Sequence, residues 1–344
     1  IANLAATTGC DAVHPGYGFL SENPELAEAC ARRGLAFIGP TADVIRRMGD
    51  KTEAREAMHA AGLPVTPGSE GNLSNLEEGL EIADKIGYPI MLKATSGGGG
   101  RGIRRCDNPE DLKKNYERVI SEATKAFGRA DVFIEKCIVN PRHIEVQILA
   151  DQQGNAIHLF ERDCSIQRRN QKLIEIAPSP QLDEAERQYI CGLAVIAAKA
   201  VNYTNAGTVE FLQDENGRFY FMEMNTRVQV EHTISEAITG VDIVEEQIRV
   251  AAGLPLRFSQ DEIQRRGFAM QLRINAEDPK NNFLPSFGRI SRYYAPGGPG
   301  IRTDYAIYTG YEVPPYYDSM LAKVIVWALN WEDVVNRGER ALRD

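Results

Sequence analysis

The 344-residue sequence contains few cysteines, and no two of them have the spacing of a metal site. The six cysteines lie far apart, at Cys10, Cys30, Cys106, Cys137, Cys164 and Cys191. The absence of a C-x-x-C pair argues against a zinc site or a disulfide framework and is typical of a protein from a reducing cytosol. We therefore expect a cytoplasmic protein. The mitochondrial matrix stays open as an alternative because the sequence begins without an initiator methionine.

The sequence also lacks a long apolar run and an excess of positive charge. Its most apolar helical stretch, Ile190 to Val201, includes Lys199 and is well short of the ~20 residues that span a bilayer. The formal net charge is −9, from 39 basic and 48 acidic residues, which argues against a broad basic surface for nucleic acid or anionic membranes. We expect neither as a partner, and an anionic ligand must be bound by local basic residues.

The pattern of residues before position 65 predicts a β-α-β unit followed by one long helix. CDAVHP and LAFIGP are typical of short buried strands, with the helix PELAEACARRG between them. Thr41 and Gly62 are suitable caps for a single helix that joins them. Because the sequence opens at Ile1 in mid-pattern, we expect a fragment that lacks at least its N-terminal start.

A run of four glycines in KATSGGGGRG, from Lys93 to Gly102, is flanked by predicted strands. A Rossmann fingerprint must open a helix and a Walker A lysine must follow its glycines, so neither motif fits. A glycine-rich loop between strands can fold its backbone N–H groups over nucleotide phosphates, as in kinases. A plain flexible linker is the alternative reading of this stretch.

The segment GTVEFLQDENGRFYFMEMN predicts a β-hairpin with Asn216-Gly217 as a two-residue type I′ turn. Counting outward from that turn pairs Leu212 with Phe221 and Glu210 with Glu223. Two carboxylates facing each other across a ladder repel, so a raised pKa or a bound hard cation such as Mg²⁺ is expected. A solvated hairpin face is the alternative.

Polar residues continue at every second position after this hairpin, in EMNTRVQVE. If the chain stays extended, Glu223, Asn225, Arg227, Gln229 and Glu231 line one face. This combination suits a site that holds a metal ion and an anion and supplies a base.

A third polar segment, ERDCSIQRRNQK, concentrates Arg162, Arg168, Arg169 and Lys172 in a short stretch of an acidic protein. It predicts either a solvated basic loop or a binding site for an anionic substrate or nucleotide.

Nine segments resemble, in order and spacing, the biotin carboxylase family of the ATP-grasp superfamily. They are HPGYGFLSEN, GDK, KATSGGGGRG, EKCIVNPRHIEVQ, ERDCSIQRRNQK, GTVEF, FMEMNTRVQVEH, RINAEDP and PPYYDSM. The resemblance implies an α/β and α+β architecture, with an ATP-grasp domain at 49–254 and a small glycine-loop lid at about 66–136. A partial Rossmann-like domain at 1–48 would precede it, and a truncated C-terminal biotin carboxylase domain at 255–344 would follow it.

The resemblance implies a reaction in two steps. Bicarbonate attacks the γ-phosphate of ATP to form carboxyphosphate, and the carboxyl group then passes to biotin on a carrier protein or domain. Mg²⁺ or Mn²⁺ would assist, and a carboxyltransferase subunit would use the product to carboxylate pyruvate, 2-oxoglutarate or an acyl-CoA. A homodimer is implied for the full-length form.

The resemblance also implies a role for individual residues. The ATP-binding residues would be Lys51, Lys93, Gly97, Gly98, Gly99, Gly100, Gly102, Glu135, Lys136, Cys137, Ile138, His143, Gln167, Asn170, Glu210 and Glu223. Glu210, Glu223 and Asn225 would hold the metal ion, and Lys172, Arg227, Gln229 and Val230 would bind bicarbonate. Glu231 would deprotonate bicarbonate, with Arg227, Lys172 and Arg273 as further catalytic residues, and Arg273 and Tyr17 would face biotin. Glu22 resembles a position at the same end of the cleft.

Two residues depart from the family pattern. Asn170 stands where many members have histidine, and Gln271 stands where an acid is common. Two other readings remain open: a different ATP-grasp carboxylate ligase, or a catalytically silent ATP-binding module.

Overall fold

The computed structural model describes residues 1–95, 102–127 and 131–343. Within these ranges, the α-helices are Ala2–Thr7 (α1), Pro24–Ala31 (α2), Ala42–Gly49 (α3), Lys51–Ala60 (α4), Leu76–Ile86 (α5), Pro109–Phe127 (α6), Glu184–Ala200 (α7), His232–Thr239 (α8), Ile243–Ala251 (α9) and Trp331–Arg343 (α10). Short 3₁₀ helices lie at Phe19–Glu22, Gln260–Glu262 and Pro279–Asn281. No helix in the described ranges has the length and apolar character needed to cross a membrane.

The strands form one large sheet and several small ones. They are Ala12–Val13 (β1), Ala36–Phe37 (β2), Ile90–Ala94 (β3), Ile103–Cys106 (β4), Val132–Lys136 (β5), Arg142–Ala150 (β6), Ala156–Arg168 (β7), Gln171–Ala177 (β8), Asn205–Gln213 (β9), Phe219–Asn225 (β10), Phe268–Asn275 (β11), Glu277–Asp278 (β12), Leu284–Pro285 (β13), Gly288–Arg289 (β14), Ile301–Tyr305 (β15), Glu312–Val313 (β16) and Met320–Ala328 (β17).

The first unit confirms the predicted β-α-β order. Strands β1 and β2 are parallel, with α2 between them in the chain. Asn23 caps α2 because its side chain accepts a hydrogen bond from the backbone N–H of Glu25. A small apolar core that includes Leu26, Cys30 and Leu35 holds the unit together.

The single long helix predicted from Thr41 to Gly62 is wrong. The chain forms two helices, α3 and α4, that are separated at Asp50. Asp50 has an extended backbone, and its carboxylate accepts hydrogen bonds from the N–H groups of Thr52 and Glu53. An aspartate that caps a new helix competes with continuation of the old one. The break makes Lys51 the first residue of α4.

A three-stranded antiparallel sheet, in the order β4-β3-β5, packs against α5 and α6 and forms the second unit. Its core includes Ile90, Leu92, Leu112 and Ile134, which are fully buried. The strand after Gly102 confirms that the glycine run joins two strands. Gly97, Gly98, Gly99 and Gly100 themselves lie outside the described residues.

An eight-stranded antiparallel sheet forms the body of the protein, in the order β10-β9-β6-β7-β8-β11-β17-β15. Helix α7 packs on β6 and β7, and its apolar residues join the largest core. Strand β11, which comes late in the chain, pairs directly with β8. This pairing brings residues near 175 next to residues near 271.

The β9–β10 hairpin differs from the prediction at its tip and agrees with it at the carboxylates. The N–H of Gly217 donates to the carbonyl of Asp214, and Asp214 pairs with Arg218, so the tip has three residues rather than two. Tyr220 therefore lies opposite Leu212, one position away from the predicted pairing. A bulge between Phe221 and Glu223 restores the register, and Glu223 lies opposite Glu210 as predicted.

Candidate active site

The predicted site residues surround one cleft of about 760 Å³ between the three-stranded sheet and the large sheet. Sixteen of them line it: Tyr17, Lys51, Lys93, Glu135, His143, Gln167, Asn170, Lys172, Glu210, Glu223, Asn225, Arg227, Gln229, Val230, Glu231 and Arg273. Gly102, Lys136, Cys137 and Ile138 are not among the lining residues. Lys136 points elsewhere, since its ammonium group donates to the carbonyls of Gly87 and Tyr88 at 2.9 Å.

The paired carboxylates of the hairpin lie in very different surroundings. Burial would raise the pKa of Glu210, but Lys172 and His143 hold this pKa well below its ordinary value. For Glu223, burial and then the charge of Glu210 raise the pKa. No side-chain hydrogen bond or ion pair joins the Glu223 carboxylate to another described residue. Asn225 completes the group and donates to Glu210 Oε1 at 2.8 Å.

Lys172 is the point at which three acids meet. Its Nζ lies 2.5 Å from Glu145 Oε2, 3.0 Å from Glu210 Oε1 and 2.8 Å from Glu231 Oε1. Burial would lower the pKa of Lys172, but these three carboxylates raise it well above its ordinary value. The ammonium group therefore stays charged in an almost dry part of the cleft.

Glu231 is held between two cations. Besides Lys172, Arg273 reaches it, with Nη2 at 3.0 Å from Oε2. Burial would raise the pKa of Glu231, but Lys172, Arg273 and the buried Arg162 outweigh it and hold this pKa below its ordinary range. The carboxylate is therefore ionised, and these cations make it a weak proton acceptor as long as they stay paired with it.

The segment after β10 does not stay extended, so that premise of the sequence prediction is wrong. Strand β10 ends at Asn225, and Glu231 is the N-cap residue of α8. The side chains of residues 225, 227, 229 and 231 converge on the cleft nevertheless. Glu22 from the first unit supports the turn: Arg227 Nε lies 2.8 Å from Glu22 Oε2, and the N–H of Thr226 donates to Glu22 Oε1 at 3.2 Å.

Two lysines at the opposite end of the cleft differ in whether they have an ionic partner among the described residues. Lys93 forms an ion pair with the Glu135 side chain. Lys51 has no side-chain hydrogen bond or ion pair with another described residue, and burial lowers its pKa although Glu223 opposes that shift. His143 lies nearby, with Nε2 at 2.6 Å from Glu210 Oε2 and Nδ1 at 3.0 Å from Gln167 Nε2. Burial would lower the pKa of His143, but the charge and the hydrogen bond of Glu210 raise it.

Asn170 lies in the turn between β7 and β8. Arg169 and Asn170 both have positive φ, at 52° and 64°, and Arg168 pairs with Gln171 across them. Asparagine is among the residues that favour this type I′ geometry, which gives its presence a structural reason.

Two buried acids of the site, Glu145 and Glu175, were missed by the sequence prediction, and Arg162 was named only as a member of the basic segment. Arg162 is fully buried and donates to Glu145, Gln147, Ser235, Thr208 and Gln229 at 2.6–3.1 Å. The side-chain oxygen of Gln229 accepts a hydrogen bond from Arg162, and this contact directs the side-chain nitrogen of Gln229 toward Glu210. The sequence does contain a signal for Glu145, because HIEVQILA places Glu145 and Gln147 inside an apolar strand, where an unpaired polar group costs folding free energy.

A carboxylate hairpin that faces a lysine-bearing three-stranded sheet across a cleft defines an ATP-grasp enzyme. Sequence models of three families match the chain: "Biotin carboxylase, N-terminal domain" over residues 1–45, "Carbamoyl-phosphate synthase L chain, ATP binding domain" over 50–259 and "Biotin carboxylase C-terminal domain" over 271–344. The chain belongs to the biotin carboxylase family.

Curated relatives agree along nearly the whole chain. The 2-oxoglutarate carboxylase small subunit of Hydrogenobacter thermophilus is 57% identical over 99% of this chain and 72% of its own length. The biotin carboxylase of Nostoc sp. is 57% identical over 100% of this chain and 77% of its own length. A pyruvate carboxylase subunit of Methanothermobacter thermautotrophicus is 52% identical over 100% of this chain and 70% of its own length.

Solved structures share the fold. The biotin carboxylase domain dimer of the Hydrogenobacter thermophilus 2-oxoglutarate carboxylase, in complex with MgADP, ADP and bicarbonate, superposes with a TM-score of 0.96 at 57% identity. The match covers 99% of this chain and 76% of that chain. A complex of Campylobacter jejuni biotin carboxylase with β,γ-ATP also gives a TM-score of 0.96, at 49% identity over the same shares.

Proposed function

We propose that the protein catalyses the ATP-dependent carboxylation of biotin on a carrier protein or domain, with bicarbonate as the carboxyl source. The observation that carries this proposal is the convergence of Lys172 and Arg273 on Glu231 inside the cleft. Relatives named as biotin carboxylases and a related structure with MgADP and bicarbonate support it.

In this scheme Lys172, Arg227, Gln229 and the Val230 backbone bind bicarbonate, and Glu231 is the base. A carboxylate with a depressed pKa is a weak base, so it needs help from the substrate. Bicarbonate brings a negative charge among the same cations, and by sharing them it raises the basicity of Glu231. Deprotonated bicarbonate then attacks the γ-phosphate of ATP to give carboxyphosphate.

Arg273 acts in the second step, with Tyr17 beside it in the cleft. Carboxyphosphate releases phosphate when it gives up its carboxyl group, and that phosphate takes the proton that biotin must lose from its ureido nitrogen. Negative charge develops on the ureido oxygen as this proton leaves. A guanidinium that reaches that oxygen stabilises the developing charge. Arg227, oriented by Glu22 and Asn225, stabilises the charge of the transition state.

We propose that Lys51, Lys93, Glu135, His143, Gln167 and Asn170 bind ATP, together with the glycine loop and the backbone near 135–138. The residues of the hairpin fit a divalent cation, because Glu223 faces the cleft without a hydrogen-bonding partner among the described residues and repels Glu210. Glu210, Glu223 and Asn225 would hold Mg²⁺ or Mn²⁺, which would neutralise phosphate charge when bound.

The assembly and location of the protein are part of the same proposal. We propose that it forms a homodimer and works with a biotinylated carrier and a carboxyltransferase subunit. Its relatives include a pyruvate carboxylase subunit, a 2-oxoglutarate carboxylase subunit and a biotin carboxylase, and we propose that the carboxyltransferase partner determines the final acceptor. All six cysteines are free thiols, which supports a reducing compartment such as the cytoplasm.

The test is ADP release from Mg-ATP, measured with bicarbonate and free biotin each omitted in turn. We expect release that requires bicarbonate and is accelerated by biotin. Release that is indifferent to both would show a different ATP-grasp ligase. ATP binding without any release, by a folded protein, would show a silent module.

A further inference from the structure

Glu175 is a fully buried carboxylate behind Arg273, and the roles proposed above leave it without a function. It lies on β8, directly opposite Gln271 on β11. Its Oε1 accepts from Arg273 Nε at 2.5 Å, and its Oε2 accepts from Gln271 Nε2 at 3.0 Å. Both oxygens of the carboxylate are therefore engaged by donors.

The orientation of Gln271 is set from the other side. The buried hydroxyl of Thr233 donates to Gln271 Oε1 at 2.7 Å, so the amide nitrogen must point to Glu175. A carboxylate that accepts from an amide and from a guanidinium is stabilised in its charged form. Thr233 and Gln271 thus present Glu175 to Arg273 as an acceptor in a fixed position.

Arg273 bridges two acids that differ in their setting. Its Nε end is bound by Glu175, and its Nη2 end lies 3.0 Å from Glu231, which lines the cleft. Without Glu175, Glu231 would be the one carboxylate left beside Arg273 among the described residues. The guanidinium would then be free to turn and donate hydrogen bonds to both oxygens of the Glu231 carboxylate.

We propose that Glu175 is a positioning residue for Arg273: it anchors the guanidinium through Nε, so that the Nη end can exchange between Glu231 and the ureido oxygen of biotin. This inference depends on the proposed function, because it assigns Arg273 to the biotin step. Its consequence is a division of labour, since the bicarbonate step needs Glu231 ionised whereas the biotin step needs Arg273 held away from it.

The energetics agree with a functional reason for this residue. Burial and then the charge of Glu231 raise the pKa of Glu175 to about 7, although Arg273 opposes the shift. An acid in this position makes the folded state harder to form near neutral pH. A buried ion pair of this kind is weak support for a stability role, and such groups are often retained at functional sites.

The experiment compares E175Q with E161Q. Glu161 is a matched control, because it is also a fully buried glutamate, and it binds the guanidinium of Arg187 at 2.9 Å outside the cleft. ADP release from Mg-ATP and bicarbonate is measured with and without free biotin for the native protein and each variant. Circular dichroism and thermal melting show that each variant is folded.

We expect E175Q to lower the biotin-dependent increment of ADP release by about tenfold or more, while the biotin-independent rate changes by less than about threefold. E161Q should leave the ratio of the two rates unchanged. If E175Q leaves the ratio unchanged, or if E161Q shifts it equally, the positioning role is wrong.

E175D, which keeps the charge on a shorter side chain, carries the test if E175Q does not fold. It should shift the ratio in the same direction by a smaller factor, and an unchanged ratio would contradict the proposal. A native protein that shows no acceleration by biotin would overturn the proposed function instead, so the two failures are distinguishable.

Discussion

The two ends of the cleft differ in how their charged side chains are held. At the end proposed to bind bicarbonate (the bicarbonate end), Lys172, Glu231 and Arg273 are bound to one another and to buried partners at 2.5–3.0 Å. At the end proposed to bind ATP (the nucleotide end), Lys51 and Glu223 have no side-chain hydrogen bond or ion pair with other described residues.

This difference separates the residues proposed for catalysis from those proposed for nucleotide binding. The bicarbonate end is organised by the protein itself, and preorganised charges act on a transition state without reorganisation. The nucleotide end keeps one cation and one anion for a ligand that brings phosphate charge and a metal ion. Substitutions at the first end should therefore change rates, and those at the second end should change affinities.

The strongest test of this contrast is E231Q. Removing the base should lower bicarbonate-dependent ADP release by a factor on the order of 10³, because general base catalysis contributes about 10²–10⁴. The affinity for MgADP, measured by calorimetry, should change by less than about threefold. The matched control is E246Q, which changes a buried glutamate that pairs with Arg257 away from the cleft. Normal turnover in E231Q would remove Glu231 as the base.

The next test compares E223Q with E210Q. E223Q removes a repelling charge, so the melting temperature without ligand should hold or rise while the affinity for MgADP falls by about tenfold. E210Q takes a charge away from Lys172 and His143, so we expect both quantities to fall. An unchanged metal dependence in both variants would exclude the hairpin as the metal site.

The pH dependence of the free energy of unfolding tests how much the buried Glu175 destabilises the folded protein. With a pKa of about 7 against an ordinary 4.5, folded Glu175 keeps a proton that the unfolded chain has already released between these values. The free energy of unfolding should therefore fall as pH rises through this window, and E175Q should lack that decline. Between about pH 5 and about pH 8, the free energy of unfolding of the native protein should fall by on the order of 1–3 kcal/mol more than that of E175Q.

Urea unfolding at about pH 5 and about pH 8 measures this difference. A gap between the two proteins that is the same at both pH values would show that Glu175 titrates normally.

The smallest expected effect is at Asn170, beside the nucleotide end. N170A places a Cβ-bearing residue without a local hydrogen-bonding side chain at positive φ, which should cost about 1 kcal/mol of unfolding free energy. N170G permits the same backbone and is the control. If both variants lose affinity for ATP equally while only N170A loses stability, the Asn170 side chain itself contacts the nucleotide.

The hairpin shows how far local patterns reach. The alternation of apolar residues and the Asn-Gly pair predicted the strands and the facing carboxylates, which are confirmed. The tip was wrong because an aspartate before the turn, Asp214, accepts hydrogen bonds from Asn216 and Arg218 and stabilises a longer loop. Two local choices, the longer loop and the bulge, offset each other.

The predictions of one long helix and of an extended segment after β10 were wrong for a related reason. Asp50 and Glu231 each begin a new helix, and capping or turning at one residue overrides the periodicity of its neighbours. Periodicity reports which side chains share a face, which is why the polar residues still converge.

Glu145 and Arg162 pair across the consecutive strands β6 and β7, but Glu175 was missed because its partner comes from a strand far away in sequence. Glu175 meets Arg273 only because β8 pairs with β11, a contact between residues nearly a hundred positions apart. A single sequence contains no signal for that pairing. It does contain the oddity of acids within apolar strands, which marks a position that needs a cation without saying which one.

The bulge at Met222 separates the tip of the hairpin from the pair of glutamates that it carries. Because the strand already contains an extra residue, a shortened tip together with removal of that residue would leave Glu223 opposite Glu210. The length of the loop can therefore change without moving the pair of glutamates, provided that the bulge changes with it. A protein engineer could graft a label or a recognition sequence at residues 214–218 without rebuilding the strands that line the cleft.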